Sequence, residues 1–489
     1  MIKIFFSSNI IKLPYISIIL LKFFIIKIFG GKPDICKLMI KLGPSFIKFG
    51  QTLSVRPDII GEDYANRLSY LRDKVPPFSS EQAKQIIAKE LGKNVNQLFS
   101  EFNSVPVAAA SIAQVHRAIT LDGHKIAVKI LRPKIEKRFK SDLALFYFLV
   151  KIANIFPQSK RLRLKEIVDL FALTVNKELD LRLEAAASTE IKENLAKDAN
   201  IYIPKIYWQY TTHKIMASEW IDGIPIDNIQ ALKEHKINLN QLSQNIYLTF
   251  LNQVYRDGFF HADIHQGNIF ISNKGIIIPV DFGITGRIDE KTRYYVAEIL
   301  RGFLSSDYEH IAKIHFAAGY VDSSKNLGDF ITALRAIGEP IKDMPAKDIS
   351  LASLLTSLFK TTKDFEMQTQ PQLLLLQKTL ILVEGLCQDL DPEINLWDCA
   401  RPWIKQWAKD NISVGAQIKN KSKDLLLELV KFPEQLKKID VILNNIAKID
   451  EKKIKTSENK LSNIYNNSIT NIFLAIILFV LTLILLKSK

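Results

Sequence analysis

The stretch His261-Ala-Asp-Ile-His-Gln-Gly-Asn-Ile-Phe-Ile-Ser-Asn-Lys-Gly-Ile-Ile-Ile-Pro-Val-Asp-Phe-Gly283 decides how this chain is read. Two apolar runs, one following Asn268 and one spanning Ile276 to Val280, flank the turn signal Asn273-Lys-Gly275, which predicts a β-hairpin. Pairing the two runs brings Asn268 and Asp281 together, as two ligands of one metal site require. A carboxylate at Asp281 suits Mg²⁺ bridging phosphates, with Asn268 offering an amide oxygen to a second ion. Asp263 then lies where a carboxylate orients or deprotonates a hydroxyl or a water. His261 and His265 stand four residues apart, a spacing that can also hold a metal. The Asn268 and Asp281 context already accounts for the loop without it.

Working toward the amino terminus, Ile126-Ala-Val-Lys129 ends an apolar strand pattern, and Glu178-Leu-Asp-Leu-Arg-Leu-Glu184 leads into a predicted helix over Leu179 to Ser188. A strand-end lysine that reaches the α- and β-phosphates, held by a helical glutamate, is the pairing that a protein-kinase fold uses. Lys129 and Glu184 are the candidates. Each string alone is unremarkable. All of them in this order predict an α+β, bilobal, protein-kinase-like domain that binds ATP with Mg²⁺. Lys214 to Trp220 reads as another strand of the small lobe, and the pattern turns helical from about Asp222, apart from the hairpin. The glycine-rich phosphate loop is missing. Pro106 to His116 holds Ala108, Ala109, Ala110 and Ser111 instead, which predicts a stiffer, helix-like turn whose amides face phosphate. Ala262 replaces the arginine of the ordinary His-Arg-Asp loop, so control through a phosphorylated activation loop is not expected.

The chain has 489 residues, a formal net charge of +15 and 47% hydrophobic residues, enough for a large core and more than one domain. Residues 1–50 hold eight lysines against one acid, Asp34. Set among Ile, Leu and Phe, they fit an anionic lipid surface at roughly 1 kcal/mol each, and no nucleic-acid partner is expected. Residues 1–33 are accordingly assigned to a basic, apolar membrane-surface segment, ended by Gly30-Gly31-Lys32-Pro33. A helical extension follows over 34–103, then a small lobe over 104–220, a large lobe over 221–449 and a polar linker over 450–468. Residues 469–486 carry no charge and predict a transmembrane anchor near the lower length limit. Cys36, Cys387 and Cys399 lack metal-ligand spacing and read as reduced thiols in a cytoplasmic compartment.

Lys48-Phe-Gly-Gln51, Ala108-Ala-Ala-Ser111, Glu178-Leu-Asp180, His261 to Asn268 and Asp281-Phe-Gly283 together resemble the UbiB family of atypical kinases, linked to ubiquinone (coenzyme Q) biosynthesis. The resemblance runs from roughly Gly43 to Pro402. Leu373 to Leu380, Glu384-Gly-Leu386 and Leu396-Trp397 look like its bacterial ubiquinone branch. The resemblance implies that the extension packs over the nucleotide site, with Lys48 and Gln51 facing Glu178 and Asp180 and the ordinary protein-substrate groove occupied by the chain itself. It adds Glu219 and Ile221 as nucleotide contacts. It further implies an ATPase-like regulator of aerobic hydroxylation, working at the bacterial inner membrane with its kinase-like domain in the cytoplasm. Its partners would be ATP or ADP, membrane lipids, phenolic ubiquinone precursors and ubiquinone biosynthetic enzymes. A non-catalytic, nucleotide-gated scaffold is the alternative. Direct hydroxylation is disfavoured, because the chain has no Gly-x-Gly-x-x-Gly flavin fingerprint and no evident iron site. Two departures stand out: Ile264 and Gln266 occupy positions where many relatives carry proline, and one carboxyl-terminal span is evident where some relatives have two.

Overall fold

The computed structural model describes residues 34–54, 60, 62–68, 71, 76–154, 164–342, 354–358, 361, 365 and 370–412. The chain opens with helices α1 (Ile35–Leu42), α2 (Pro44–Ser54) and α3 (Glu62–Leu68). Asp34 caps α1 by accepting from the Lys37 amide, and Gly43, at φ +101°, ends it and turns the chain into α2. Two short helices, α4 (Ser80–Leu91) and α5 (Val95–Leu98), precede an antiparallel sheet of β1 (Phe99–Phe102), β2 (Ala108–Ala109), β3 (Ala113–Thr120), β4 (Lys125–Leu131) and β5 (Ile215–Glu219). Its order is β1-β3-β4-β5, with β2 also paired to β3. Alternation sets its faces. Ile126, Val128 and Ile130 of β4 are fully buried beneath α4 and α5, so Lys129 points to the opposite face.

Helices α6 (Ile135–Ala153), α7 (Leu164–Glu178) and α8 (Leu181–Asn194) lie between β4 and β5 in sequence. α2 packs on α6 and α7 through an aromatic cluster. Phe49 stacks on Phe146 at 4.6 Å and meets Phe171 edge-on at 5.2 Å, while Phe46 meets Phe146 edge-on at 4.9 Å. Such ring pairs add about 0.5–1.5 kcal/mol each beyond their buried area, so the extension is held by a core of its own.

After β6 (Ile224–Pro225) the chain turns largely helical, through α9 (Ile229–Glu234) and α10 (Leu239–Leu251), with a π-helical turn over Asn252–Asp257. Short strands β7 (Phe259–His261), β8 (Ile269–Ile271), β9 (Ile277–Pro279) and β10 (Thr285–Arg287) follow. Then come α11 (Glu290–Ser305), α12 (Tyr308–Ala317), α13 (Leu327–Lys342), α14 (Pro371–Leu390) and α15 (Leu396–Ile412). α10 and α14 are the spine of this lobe. Leu242, Ile246, Tyr247 and Phe250 share one core with Leu376, Leu380, Val383 and Cys387, and the Ser243 hydroxyl donates to the Cys387 carbonyl at 2.9 Å.

The predicted hairpin is β8–β9, paired Ile269 with Pro279, and the Val280 amide donates to the Asn268 carbonyl at 3.0 Å. Gly275 takes φ +78° in the turn. Two sequence expectations need correction. Phe99–Phe102, assigned to a helical extension, is a strand paired with β3; four residues carry too little periodicity to announce it. The alanine stretch is not helix-like, because Ala108 pairs with Val115 and Ala109 with Gln114 on β3. Pairing with a strong neighbouring strand outweighs alanine's helical preference. Among the described residues no helix is long and apolar enough to cross a membrane, and the segments assigned to 1–33, 450–468 and 469–486 lie outside them.

Candidate functional site

β4 presents Lys129 from mid-sheet, between Val115 of β3 and Met216 of β5. α8 presents Glu184 from its first turns. The Asp180 carboxylate starts that helix by accepting from the Arg182 amide, and Glu184, Ala185, Ser188 and Ile191 form its buried face. The Lys129 ammonium donates to both Glu184 carboxylate oxygens, at 2.7 and 2.9 Å, and to Asp281 Oδ2 at 3.3 Å. The lysine and Glu184 side chains are only 14% and 8% exposed, so their attraction is little screened. Burial opposes the lysine's charge, but Asp281 and Glu184 outweigh it and hold its pKa above the usual range. Burial also pushes the Glu184 carboxyl up to about 7, against the pull of Lys129. For Asp281 the balance falls the other way. Burial raises it, but Lys129, the Gly283 amide and His261 together depress its pKa.

Asp281 Oδ1 accepts from the Gly283 amide at 2.9 Å, and the β8–β9 pairing carries Asn268 up beside the same strand end. One carboxylate and one amide suit Mg²⁺. This ion takes few protein oxygens and completes its octahedron with phosphate and water. Among the described residues no group of three or more His, Cys, Asp or Glu could hold a metal. The histidine pair serves loop geometry instead. His261 is buried and neutral, its pKa lowered by burial, and its Nδ1 accepts from the Asp263 amide at 3.1 Å. His265 Nδ1 accepts from the Gly267 amide at 3.1 Å. These two bonds shape the turn that presents Asp263.

The alanine hairpin is pinned from behind. Ala110 donates to the Ala113 carbonyl at 2.8 Å, and Arg132 Nε and Nη2 both donate to the Ala110 carbonyl at 2.9 and 2.8 Å. The Arg132 guanidinium also lies over the Phe78 ring, 5.8 Å from its centroid. Ser111 is fully buried. The loop is thus a braced β-turn.

Lys48 of α2 forms an ion pair with Glu178, Nζ to the two oxygens at 3.2 and 3.1 Å, both side chains nearly buried. Gly50 sits in the same motif for a steric reason. A Cβ there would lie 2.5 Å from Leu71 Cδ1, so a larger residue requires the buried Leu71 side chain to shift. Gln51 donates to the Leu71 carbonyl at 3.1 Å. The Asp180 carboxylate is held by Arg182 Nε and Nη2 at 2.9 and 2.7 Å and caps α8, while Glu178 takes the Lys48 ion pair. Glu219 is likewise engaged. Its carboxylate accepts from the Tyr202 hydroxyl and the Lys205 amide, and its amide donates to the Lys205 carbonyl at 2.8 Å. Its expected nucleotide contact is therefore narrowed to its carbonyl. Ile221 follows β5, partly buried.

Sequence reasoning singled out Leu373 to Leu380 of α14 as a family motif but gave the helix no place at the site. Its Lys378 ammonium lies 3.9 Å from Asp263 Oδ1, and the Thr379 hydroxyl, which reaches the Leu375 carbonyl of its own helix at 2.8 Å, lies 3.3 Å from the Ala262 carbonyl. Gln266 donates to Asp389 of the same helix at 2.7 Å. The signal was present in Gln377-Lys-Thr379, a polar break inside the apolar run from Leu373 to Val383.

Residues 70–315 match the ABC1 atypical kinase-like domain, and residues 334–395 match the UbiB helical domain. A Marinobacter nauticus protein described as "Probable protein kinase UbiB" is 42% identical over 399 residues, covering 81% of this chain and 73% of its own. A Pseudomonas paraeruginosa protein of the same description is 39% identical over 384 residues, covering 78% and 72%. A solved Mycobacterium tuberculosis protein in complex with erythromycin superposes with a TM-score of 0.49 at 22% identity, covering 75% of this chain and 92% of that one.

Proposed function

Since the chain belongs to the ABC1 family of atypical kinases, in its UbiB branch, we propose that it is an Mg-ATP-dependent phosphotransferase or ATPase of low turnover. We assign it to the support of aerobic hydroxylation in ubiquinone biosynthesis at the bacterial inner membrane. The observation that carries the reading is the Lys129 ammonium held between Glu184 and Asp281. On this reading Lys129 binds the α- and β-phosphates, and Glu184 keeps it in place. Asp281 and Asn268 hold Mg²⁺, which supplies neutralisation of the phosphate charge. The alanine hairpin of Ala108, Ala109, Ala110 and Ser111 covers the phosphates, and Lys48, Gln51 and Glu178 fasten the extension beside them. Asp263 orients the attacking oxygen and takes its proton as the bond from phosphorus to the ADP oxygen breaks and the new P–O bond forms. Membrane attachment rests on residues 1–33 and 469–486.

A nucleotide-gated scaffold is the second reading. It is favoured by the braced hairpin, since a loop pinned through Ala110 has little freedom to follow phosphate through a reaction. Phosphate release from Mg-ATP by the purified full chain, with anionic liposomes and a phenolic lipid, separates the two. The enzyme reading predicts release that lipid raises and that Asp263→Asn lowers about 10²-fold or more. Tight nucleotide binding with equal release from both proteins would favour the scaffold.

A further inference from the structure

The loop that carries Asp263, His261-Ala-Asp-Ile-His-Gln-Gly-Asn268, contains no lysine or arginine. Transfer of a phosphoryl group nevertheless spreads negative charge over three oxygens beside that carboxylate, and a cation there stabilises the transition state. α14 delivers one. Lys378 projects from a helix otherwise anchored in the core by Leu376, Leu380 and Val383. Its ammonium stops 3.9 Å from Asp263 Oδ1, beyond hydrogen-bond range. It makes no hydrogen bond to any described residue, and its side chain is 28% exposed, which leaves its donors available to a ligand beside Asp263. The helix meets the loop on either side of Asp263, where Gln266 donates to Asp389 at 2.7 Å and the Thr379 hydroxyl lies 3.3 Å from the Ala262 carbonyl. On the other carboxylate oxygen, His265 Nε2 lies 3.7 Å away.

We propose that Lys378 is a catalytic residue that contacts the γ-phosphoryl oxygens of bound ATP, supplying from the helical domain the cation that the catalytic loop lacks. This inference rests on the nucleotide-site reading above and extends it to a second element. It requires that Lys378 distinguish ATP from ADP, because only ATP carries the group it touches. A nucleophile within about 3 Å of Asp263 places the transferring phosphorus within reach of a lysine stem.

The test measures Mg-ATP, Mg-AMP-PNP and Mg-ADP affinities, and phosphate release, for the full chain and three variants. Lys378→Gln should weaken ATP and AMP-PNP about tenfold or more, the worth of a charge-assisted hydrogen bond, while leaving ADP within about twofold. Lys378→Arg should restore part of the difference. Thr379→Val, which loses the hydroxyl's contacts with the Leu375 and Ala262 carbonyls but no charge, should leave the ATP to ADP ratio at the wild-type value. An unchanged ratio in Lys378→Gln overturns the proposal, as does an equal loss for ATP and ADP matched by Thr379→Val. If Lys378→Gln does not fold, Lys378→Met carries the same comparison, because it keeps the apolar stem. A wild type that shows no turnover but loses ATP preference in Lys378→Gln would sink the enzymatic reading and leave the Lys378 contact standing.

Discussion

Lys129 keeps its charge in a nearly buried site because two carboxylates share it, and Glu184 is the partner that yields when pH falls. This is residue-scale chemistry, and it was legible: a lysine in an apolar strand, an acid opening a helix and an acid after a hairpin each declare themselves by type and place, although β4 runs on past Lys129 to Leu131 where the pattern had placed its end. His315 shows the converse, a titratable group whose effect comes from burial alone. Its Nδ1 donates to the Ile311 carbonyl at 2.8 Å, and its ring packs at 5.3 Å from that of Phe330. Burial depresses its pKa from 6.5 to about 4. The neutral form is favoured on folding, so the stability this group contributes is full above pH 6.5 and is lost as pH falls toward 4. That is about 3 kcal/mol if the whole shift is expressed. Urea unfolding midpoints from pH 7.5 to 4.5 should fall less steeply in His315→Gln than in wild type. Parallel curves would refute the assignment. Lys378 stood out only as part of a polar break in an apolar run, and its place beside Asp263 was not legible, because nothing in local sequence says that α14 meets the catalytic loop.

At the scale of elements, close approach decides more than propensity. α2 lies near enough to Leu68 and Leu71 that a Cβ at Gly50 would come within 3.3 and 2.5 Å of their methyls. Gly50→Ala should therefore destabilise by about 1–3 kcal/mol, the usual cost of overpacking, with the Lys48–Glu178 pair strained in consequence. A Cβ added at Gly385, in α14, would meet no atom within 4 Å. Gly385→Ala should be neutral or stabilising by about 1 kcal/mol, from helix propensity. Denaturant unfolding of the two variants checks the contrast, and equal effects would show that α2 has room to spare. The hairpin β8–β9 was readable because turn residues and apolar runs are local signals. The strand character of Phe99–Phe102 and Ala108–Ala109 was not, since both owe it to pairing with β3. Composition pointed Ala108 to Ala110 toward helix, and the neighbouring strand overruled it.

For the molecule as a whole, separate cores serve separate duties. One joins the extension to α6, α7 and α8, another lies under the sheet, and a third fills the helical lobe. The site draws a residue from each neighbourhood: Lys129 from the sheet, Glu184 from α8, Asp263, Asn268 and Asp281 from the loops of the helical lobe, and Lys378 from α14. That convergence explains why the motifs are scattered along the chain yet keep one order. It also explains why the two-lobed, α+β architecture followed from the motifs while the capping of α8 by Asp180 did not, since a capping role is settled by local geometry. Every proposed role in the site depends on Asp281, held by Lys129 and Gly283, binding the metal that accompanies ATP. Calorimetric titration of ATP into the full-length wild type and Asp281→Asn, with and without Mg²⁺, reads that role without relying on turnover. Affinity in the wild type should depend on Mg²⁺, and the substitution should largely abolish that dependence while the protein stays folded at the titration temperature. Equal Mg²⁺ dependence in the two proteins would contradict it.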